Sequence, residues 1–296
     1  MRRLCAGLLL ILLSALLAHG ETTTLSLLYT NDVHVHLERL ESLRSLIAAE
    51  RAKGLPVLLL DAGDTWQDFR RPLPIVWGAD EMLGWMNEVG YDAMAIGNHE
   101  LYLGADRLAA LAGGAGFPLL AANLRPVNGL APFRPATHVS AGGLDVLVIG
   151  LLTRDNFPAL EYPWLALDEP EAALGRALAE EGSGADLVVV LGHLPVRDAV
   201  QIASRVPGVD VFVTGHSHEA TPEPIHAGET LVVQSGEFGE ALGRLDLEID
   251  TESGAVVRAE NTLLPTEVAP VALDRGYLTL FRILFGVASL AVLLLF

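Results

Sequence analysis

The side chains best suited to chemistry in this chain follow five short apolar segments, and they are Asp, Asn or His. The most informative run is Gly97-Asn98-His99-Glu100, which comes directly after the apolar residues 93–96. Comparable segments precede Asp32 and His34, Asp64, His193, and the pair His216 and His218. Carboxylate, amide and imidazole groups are nitrogen and oxygen ligands that proteins offer to divalent metal ions. The pattern therefore predicts a metal site.

The number of candidate ligands indicates two metal ions. They are Asp32, His34, Asp64, Asn98, His193, His216 and His218. A tetrahedral zinc ion takes four ligands, so seven fit two adjacent ions, with Asp64 as the simplest bridging carboxylate. Two divalent ions about 3.5–4 Å apart polarise a phosphoryl group and lower the pKa of a shared water. The only cysteine is Cys5 in the N-terminal apolar segment, so thiolate ligands and disulfides are excluded.

The apolar segments before these ligands are typical of buried parallel or mixed strands. In open α/β sheets, sites form at the carboxyl ends of the strands. The spacing of apolar residues and the positions of Gly and Pro predict helices over residues 38–51, 81–89, 106–112 and 170–181, with a glycine-rich break at 113–116. We expect Asn98, His99 and Glu100 to lie in a loop. The whole pattern predicts one α/β domain over residues 24–250.

The charge of the chain limits its partners. The formal net charge is −18, and Lys53 is the only lysine. Binding to a nucleic-acid polymer needs a basic face, which this composition does not supply. A phosphorylated substrate would therefore be attracted by a local metal charge and not by the overall field.

Both ends of the chain are apolar. Residues 1–20 have the positive start, apolar middle and small residues of a cleavable signal peptide; an uncleaved anchor is the alternative. Residues 251–277 are expected to form an edge hairpin and a linker. Residues 278–296 predict a membrane tail, with a buried terminal helix or a segment removed after sorting as alternatives. We expect an exported protein on the periplasmic or extracellular face, anchored by its C-terminus.

The order of these motifs resembles that of the calcineurin-like metallophosphoesterases over most of residues 25–250. Tyr29-Thr30-Asn31-Asp32-Val33-His34 and Asp64-Thr65-Trp66-Gln67 are similar to the 5′-nucleotidase branch. The resemblance implies a four-layer α/β/β/α sandwich with a two-metal site. It implies that Asp32, His34, Asp64 and His218 hold one ion and that Asp64, Asn98, His193 and His216 hold the other. It also implies that His99 stabilises the transferring phosphoryl group, while a hydroxide bridging the metals attacks.

Two features depart from that branch. An aromatic residue and then an Asp that orients the histidine usually follow its Asn-His-Glu motif, whereas Leu101 and Tyr102 stand here. We expect weaker catalysis or another supporting acid, with Glu100 and Asp106 the nearest candidates. Branch members also commonly carry a C-terminal nucleotide-binding domain, and we expect none here because the chain continues into its apolar C-terminal segment. Side chains of the 62–80 loop are substrate-contact candidates in its place: Trp66, Arg70, Arg71 and Trp77. For the two tryptophans we favour a packing role, with substrate contact as the alternative.

The function that these observations favour is metal-dependent hydrolysis of a small phosphate ester, such as a nucleotide, in nucleotide catabolism. The two divalent ions could be Mn, Zn, Fe or Mg, because all of them accept N/O ligands to some degree. Hydrolysis of a phosphodiester, a pyrophosphate or a sulfur ester is an alternative, and a weakly active metal-loaded binding or sensor module is another. We expect His36 to lie at the rim of the site, and His138 and His226 at the surface.

Overall fold

The computed structural model describes residues 21–67, 78–127, 133–155 and 163–269. The strands are β1 Thr22–Thr30, β2 Val57–Asp61, β3 Ala93–Ala95, β4 Leu119–Leu120, β5 Leu124–Pro126, β6 Ala136–Ala141, β7 Leu144–Leu152, β8 Leu165–Leu167, β9 Leu187–His193, β10 Val211–Thr214, β11 Ile225–Ala227, β12 Thr230–Val233, β13 Ala241–Asp250 and β14 Val256–Pro265. The α-helices are α1 Leu40–Arg51, α2 Ala79–Val89, α3 Asn98–Leu101, α4 Ala105–Gly114, α5 Pro170–Glu181 and α6 Val196–Arg205.

Two six-stranded sheets carry the fold. The first has the strand order β14-β13-β1-β2-β3-β4, and the second has the order β11-β12-β10-β9-β7-β6. The strands from β1 to β4 are parallel to one another, and so are β7, β9, β10 and β12. The antiparallel strands β13 and β14 extend one sheet, while β6 and β11 close the two edges of the other. Both sheets therefore have a parallel centre that ends in functional loops.

Three separate apolar cores show that the sheets and helices form four layers. Side chains such as Leu27 and Val189 fill the space between the two sheets. The opposite face of the first sheet, with Leu28, packs against α1 to α4, and that of the second sheet, with Ile149, packs against α5 and α6. The alternation of Leu27 and Leu28 follows from the two-residue period of a strand. The predicted α/β/β/α sandwich is confirmed.

Individual elements agree with the sequence-based predictions to different degrees. Helix α5 has the predicted bounds. A hairpin was expected within residues 251–277, but the described part of that range supplies one strand, β14, which pairs with β13. Helix α4 continues through Gly113 and Gly114, where a break was expected. Helix α6 was not predicted, although its buried Val196, Ala199 and Ile202 lie at helical spacing. It begins only three residues after a ligand candidate, where a loop was the simpler expectation.

The Asn98–Leu101 segment is one turn of α-helix and not a loop, which corrects our expectation. The Glu100 carboxylate accepts the backbone N–H of Gly97, the residue before this turn, at 2.9 Å, which is the glutamate half of a capping box. Asn98 and His99 thereby become the first two residues of a helix. The helical backbone therefore sets the positions of both residues relative to each other.

Among the residues that the structure describes, no helix combines the length and apolar character needed to cross a membrane. The predicted signal peptide, residues 1–20, and the predicted membrane tail, residues 278–296, lie outside the described residues.

Gly150 tests the packing between the sheets. A Cβ atom there would overlap the carbonyl group of Leu120, on β4 of the facing sheet. We expect Gly150→Ala to lower the free energy of unfolding by about 1–3 kcal/mol, because neither backbone can move away. Urea unfolding with a metal chelator present measures this change.

The matched control is Gly175→Ala on α5, where an added Cβ has no neighbour within 4 Å. This change should stabilise the chain by about 0.5–1 kcal/mol, because Ala is the better helix former. Equal effects of the two substitutions would contradict the packing account.

Candidate metal centre

Asp64 lies at the middle of the candidate site. It follows β2, is fully buried, and directs Oδ2 toward three imidazole nitrogens: His193 Nε2 at 3.1 Å, His99 Nε2 at 3.8 Å and His34 Nε2 at 3.9 Å. One carboxylate oxygen is thus shared among groups that come from both sheets. This is the position that a bridging ligand requires.

The first ligand group lies on one side of Asp64 and combines Asp32, His34 and His218. Asp32 Oδ1 is 3.3 Å from His218 Nε2 and 3.7 Å from His34 Nε2, and the two Nε2 atoms are 3.3 Å apart. Ligands bound at about 2.0–2.2 Å around one ion lie about 3–3.5 Å from each other. The spacing of this group therefore fits one divalent ion.

The second ligand group lies on the other side of Asp64. It contains His193 and His216, with Asn98 between them: Asn98 Oδ1 is 3.2 Å from His193 Nε2 and 3.0 Å from His216 Nδ1. Together with Asp64, which lies between them, the two groups contain all seven ligands that the sequence predicted. The structure brings them to one place and divides them into two sets that share Asp64.

The charge balance of the site favours cations. Burial opposes charge on both Asp64 and His193, yet their contact raises the pKa of His193 to about 10 and holds the pKa of Asp64 well below its usual range. Burial lowers the pKa of His34 and of His216, which keeps these imidazoles neutral near pH 7. Ionised carboxylates and neutral imidazoles are the forms that bind metals, so a metal ion bound at His193 would displace the proton that Asp64 stabilises there.

The ligand loops are held in an uncommon backbone conformation. Five of the seven candidate ligands have left-handed φ angles between 48° and 69°: Asp32, His34, Asp64, His216 and His218. Such angles are rare for residues other than glycine and cluster at functional sites. Backbone bonds between loops hold them, from Asp32 N–H to Gly63 O at 2.9 Å and from His34 N–H to Asp64 O at 3.0 Å.

Glu100 holds the loop after β2 against the turn after β3. Its buried carboxylate accepts backbone N–H groups from Asp64, Thr65, Trp66 and Gly97, each at 2.9 Å. Burial and the nearby Asp64 raise the pKa of Glu100, while the N–H donors favour its charged form. Glu100 therefore positions Asp64 and is not the supporting acid for His99 that we expected.

The orientation of His99 comes from a backbone carbonyl. Its Nδ1 lies 3.0 Å from the carbonyl oxygen of Gln67, and His34 Nδ1 lies 3.1 Å from the same oxygen. Both rings can donate Nδ1–H there, which leaves Nε2 of each facing Asp64. Asp106 is exposed at the start of α4. A neutral carbonyl thus occupies the role that a carboxylate was expected to fill.

The substrate-contact candidates have a different outcome. Trp66 is fully buried and its Nε1 lies 3.1 Å from Met86 Sδ, so it is a packing residue, which is the role we favoured over a substrate contact. Arg70, Arg71 and Trp77 lie outside the described residues. His36 stacks on Phe238 with ring centroids 4.3 Å apart and is not part of either ligand group.

Comparison with known proteins agrees with this geometry. Residues 25–220 match the family described as calcineurin-like phosphoesterase. A snake venom 5′-nucleotidase from Crotalus adamanteus is 32% identical over 291 residues, which cover 81% of this chain and 48% of that protein. A 5′-nucleotidase from Rattus norvegicus is 31% identical over 303 residues, covering 86% of this chain and 52% of that protein. The chain spans about half the length of the curated relatives that it matches.

A solved structure gives the same result in three dimensions. The 5′-nucleotidase precursor from Thermus thermophilus aligns with a TM-score of 0.73 and 28% identity, over 88% of this chain and 58% of that one.

Glu100 provides a test of how the site is held. We expect Glu100→Gln to lower the free energy of unfolding by about 3 kcal/mol, because the new amide group would face two N–H donors in place of an acceptor. Asp64 should also lose its position, so affinity for Mn²⁺ should fall. Urea unfolding in chelator and Mn²⁺ titration measure the two effects.

Glu180→Gln, at an exposed position of α5, is the matched control and should leave both quantities unchanged. Wild-type stability in Glu100→Gln would show that the four N–H contacts do not hold the loop.

Proposed function

The chain belongs to the calcineurin-like phosphoesterase family, and we propose that it is a phosphatase that hydrolyses small phosphate esters with two divalent metal ions, as 5′-nucleotidases do. The observation that carries the proposal is the position of Asp64 Oδ2 between two complete ligand groups. A site for metal storage or structure needs only one closed ligand set, whereas a shared carboxylate places two ions side by side.

The proposed ligands form two sets of four, and Asp64 belongs to both. Asp32, His34, Asp64 and His218 would hold one ion, and Asp64, Asn98, His193 and His216 the other. Mn, Zn, Fe and Mg remain candidates, since imidazole suits the transition metals and carboxylate suits the harder ions. When bound, the two ions would polarise a phosphoryl group and make a water acidic enough to attack it.

His99 is the proposed catalytic side chain that is not a ligand. Its Nε2 faces the centre 3.8 Å from Asp64 Oδ2, and its side chain is 17% exposed, so a substrate can reach it. From there it could donate a hydrogen bond to a phosphoryl oxygen or a proton to the leaving oxygen. Asn98, at the start of the same helical turn, would fix the second ion against the phosphoryl group.

The proposed substrate is a small phosphorylated molecule, such as a nucleotide. The names of the relatives support a nucleotide, and the acidic chain disfavours a nucleic-acid polymer. We keep Arg70 and Arg71 as proposed phosphate contacts, because the metal centre otherwise has to balance the phosphate charge alone.

We also propose the location and organisation of the protein from its sequence. Residues 1–20 would direct export, residues 24–250 would form the phosphoesterase domain, and 251–277 would connect it through a strand and linker to a membrane tail at 278–296. The site would then face the periplasm or the extracellular medium.

The proposed reaction is tested on the full chain in mild detergent, stripped with chelator and reloaded with Mn²⁺ or Zn²⁺. The panel contains a nucleoside monophosphate, a cyclic nucleotide, a nucleotide sugar and an aryl phosphate. We expect metal-dependent phosphate release from at least one ester, with Asn98→Ala and His216→Ala lowering kcat/KM about 100-fold or more.

The control variant is His138→Ala, because His138 is an exposed histidine paired with Asp145 on the edge of the second sheet. It should keep full activity. If two metals bind and no ester is hydrolysed, the phosphatase proposal fails, and a sulfur ester or a binding role becomes the better account.

Tyr102 is the second test of this proposal. Its ring centroid is 5.1 Å from that of His99, one helical turn away, so an Asp at this position could accept the Nδ1–H of His99. We expect Tyr102→Asp to raise kcat about 10-fold, because a carboxylate supports a positively charged imidazole better than a carbonyl does.

The matched control is Tyr102→Asn, which has the same shape as Asp without its charge. It should show no comparable gain. A similar kcat in Tyr102→Asp and Tyr102→Asn would mean that the charge of the orienting group does not limit the reaction.

A further inference from the structure

We infer that Glu237 is a positioning residue for His218, and that it gives the first ligand group a higher metal affinity than the second. The inference comes from one juxtaposition, in which the Glu237 carboxylate receives the Nδ1 side of the His218 ring. It rests on the proposed metal centre, although not on the reaction proposed for that centre.

The contact fixes which nitrogen of His218 is available to a metal. Glu237 Oε2 accepts a hydrogen bond from His218 Nδ1. On the other side of the ring, Nε2 lies 3.3 Å from Asp32 Oδ1 and 3.3 Å from His34 Nε2. With Nδ1–H committed to Glu237, the lone pair of Nε2 points into the first ligand group. A carboxylate behind an imidazole ligand orients the ring and makes it a stronger donor.

The other ligand histidines have different partners. His34 Nδ1 and His193 Nδ1 face the backbone carbonyls of Gln67 and Ala62, at 3.1 and 2.9 Å. His216 directs Nδ1 itself toward Asn98. Among the candidate ligand histidines in the described part of the chain, His218 is thus the one whose Nδ1, the nitrogen that faces away from the ligand group, contacts a carboxylate.

The charges around the two ligand groups are therefore unequal. Both share Asp64. The first group adds Asp32 as a direct ligand and Glu237 in contact with the outer nitrogen of His218. The second adds the neutral Asn98 as its ligand, while Glu100 and Asp155 act on its histidines from outside the ligand set. Each additional negative charge within a few ångströms attracts a divalent cation more strongly. The first group should therefore fill at lower metal concentration.

Backbone hydrogen bonds on both sides of Glu237 hold its carboxylate next to His218. Gly236 N–H donates to Glu219 O at 2.9 Å, and Phe238 N–H donates to Asp32 O at 2.7 Å. Both residues have left-handed φ angles, of 93° for Gly236 and 57° for Phe238. The Phe238 ring also meets His218 edge-on with centroids 5.5 Å apart, which limits rotation of the imidazole. A bulky residue in this conformation indicates a turn held by its surroundings.

The experiment measures metal binding without any substrate. A full-length His216→Ala chain, which keeps all ligands of the first group, is titrated with Mn²⁺ in competition with a chelating dye. Adding Glu237→Gln should weaken Mn²⁺ binding about 10- to 100-fold. Glu237→Asp, which keeps the charge on a shorter side chain, should recover part of the affinity.

Two controls separate positioning from a general effect. Glu219→Gln removes the same charge from an exposed residue next to His218 and should leave the affinity unchanged. In a His34→Ala chain, which isolates the second group, Glu237→Gln should also have no effect. Thermal unfolding in chelator confirms that each variant is folded.

Three results would overturn the inference. Unchanged Mn²⁺ affinity after Glu237→Gln would exclude a role for this carboxylate, and equal losses from Glu237→Gln and Glu219→Gln would reduce the effect to overall charge. A His216→Ala parent that binds no Mn²⁺ would instead overturn the proposed metal centre, and the inference with it. Wild-type turnover is a separate measurement, so failure of the reaction and failure of the inference can be distinguished.

Discussion

The Glu100 carboxylate is the constraint on which the site depends most. The loop after β2 and the turn after β3 both present ligands. The loop after β2 contains a left-handed residue, Asp64, and the turn after β3 is a single turn of helix. Each left-handed residue costs on the order of 1–3 kcal/mol and persists only when its surroundings determine it. Glu100 holds the backbone of the Asp64 loop in place by accepting four backbone N–H groups. A similar role falls to Asp32, whose Oδ2 accepts the N–H of His216 at 2.9 Å.

The sandwich explains why the site forms only in the folded chain. Asp32, His34, Asp64 and Asn98 follow strands of the first sheet, while His193, His216 and His218 follow strands of the second. Either sheet alone holds an incomplete set. The bond between His193 Nδ1 and Ala62 O, at 2.9 Å, joins the two sheets at the centre itself. Packing of the apolar surface between the sheets therefore brings the ligands together, and the ligand loops in turn fix how the sheets meet.

The sequence was enough to select the candidate ligands that the structure brings together, because a ligand candidate is recognised by its side-chain type and by its position after a strand. The ring of His218 was predictable, but the carboxylate at its outer nitrogen was not, because Glu237 lies 19 positions later in a turn between two residues with left-handed φ angles. Gln67 was missed for a different reason: its backbone carbonyl orients His34 and His99, and a backbone atom leaves no trace in residue type. For Trp66 the sequence favoured packing over a substrate contact, and its burial agrees, but residue type alone leaves both roles open for a large aromatic in a ligand loop.

The charge distribution of the chain supports the substrate class proposed for this centre, a compact phosphate ester. A chain of net charge −18 repels anions at long range, and several of its described basic side chains are paired with carboxylates, as Arg125 is with Asp168. In physiological salt, charges are screened over about 8 Å, so the attraction of two bound cations would act mainly inside the cleft. A compact ester can place its single phosphate within that range and keep the rest of the molecule outside the acidic surface. A polymer would bring many phosphates against that surface, and each would add repulsion that the centre does not offset.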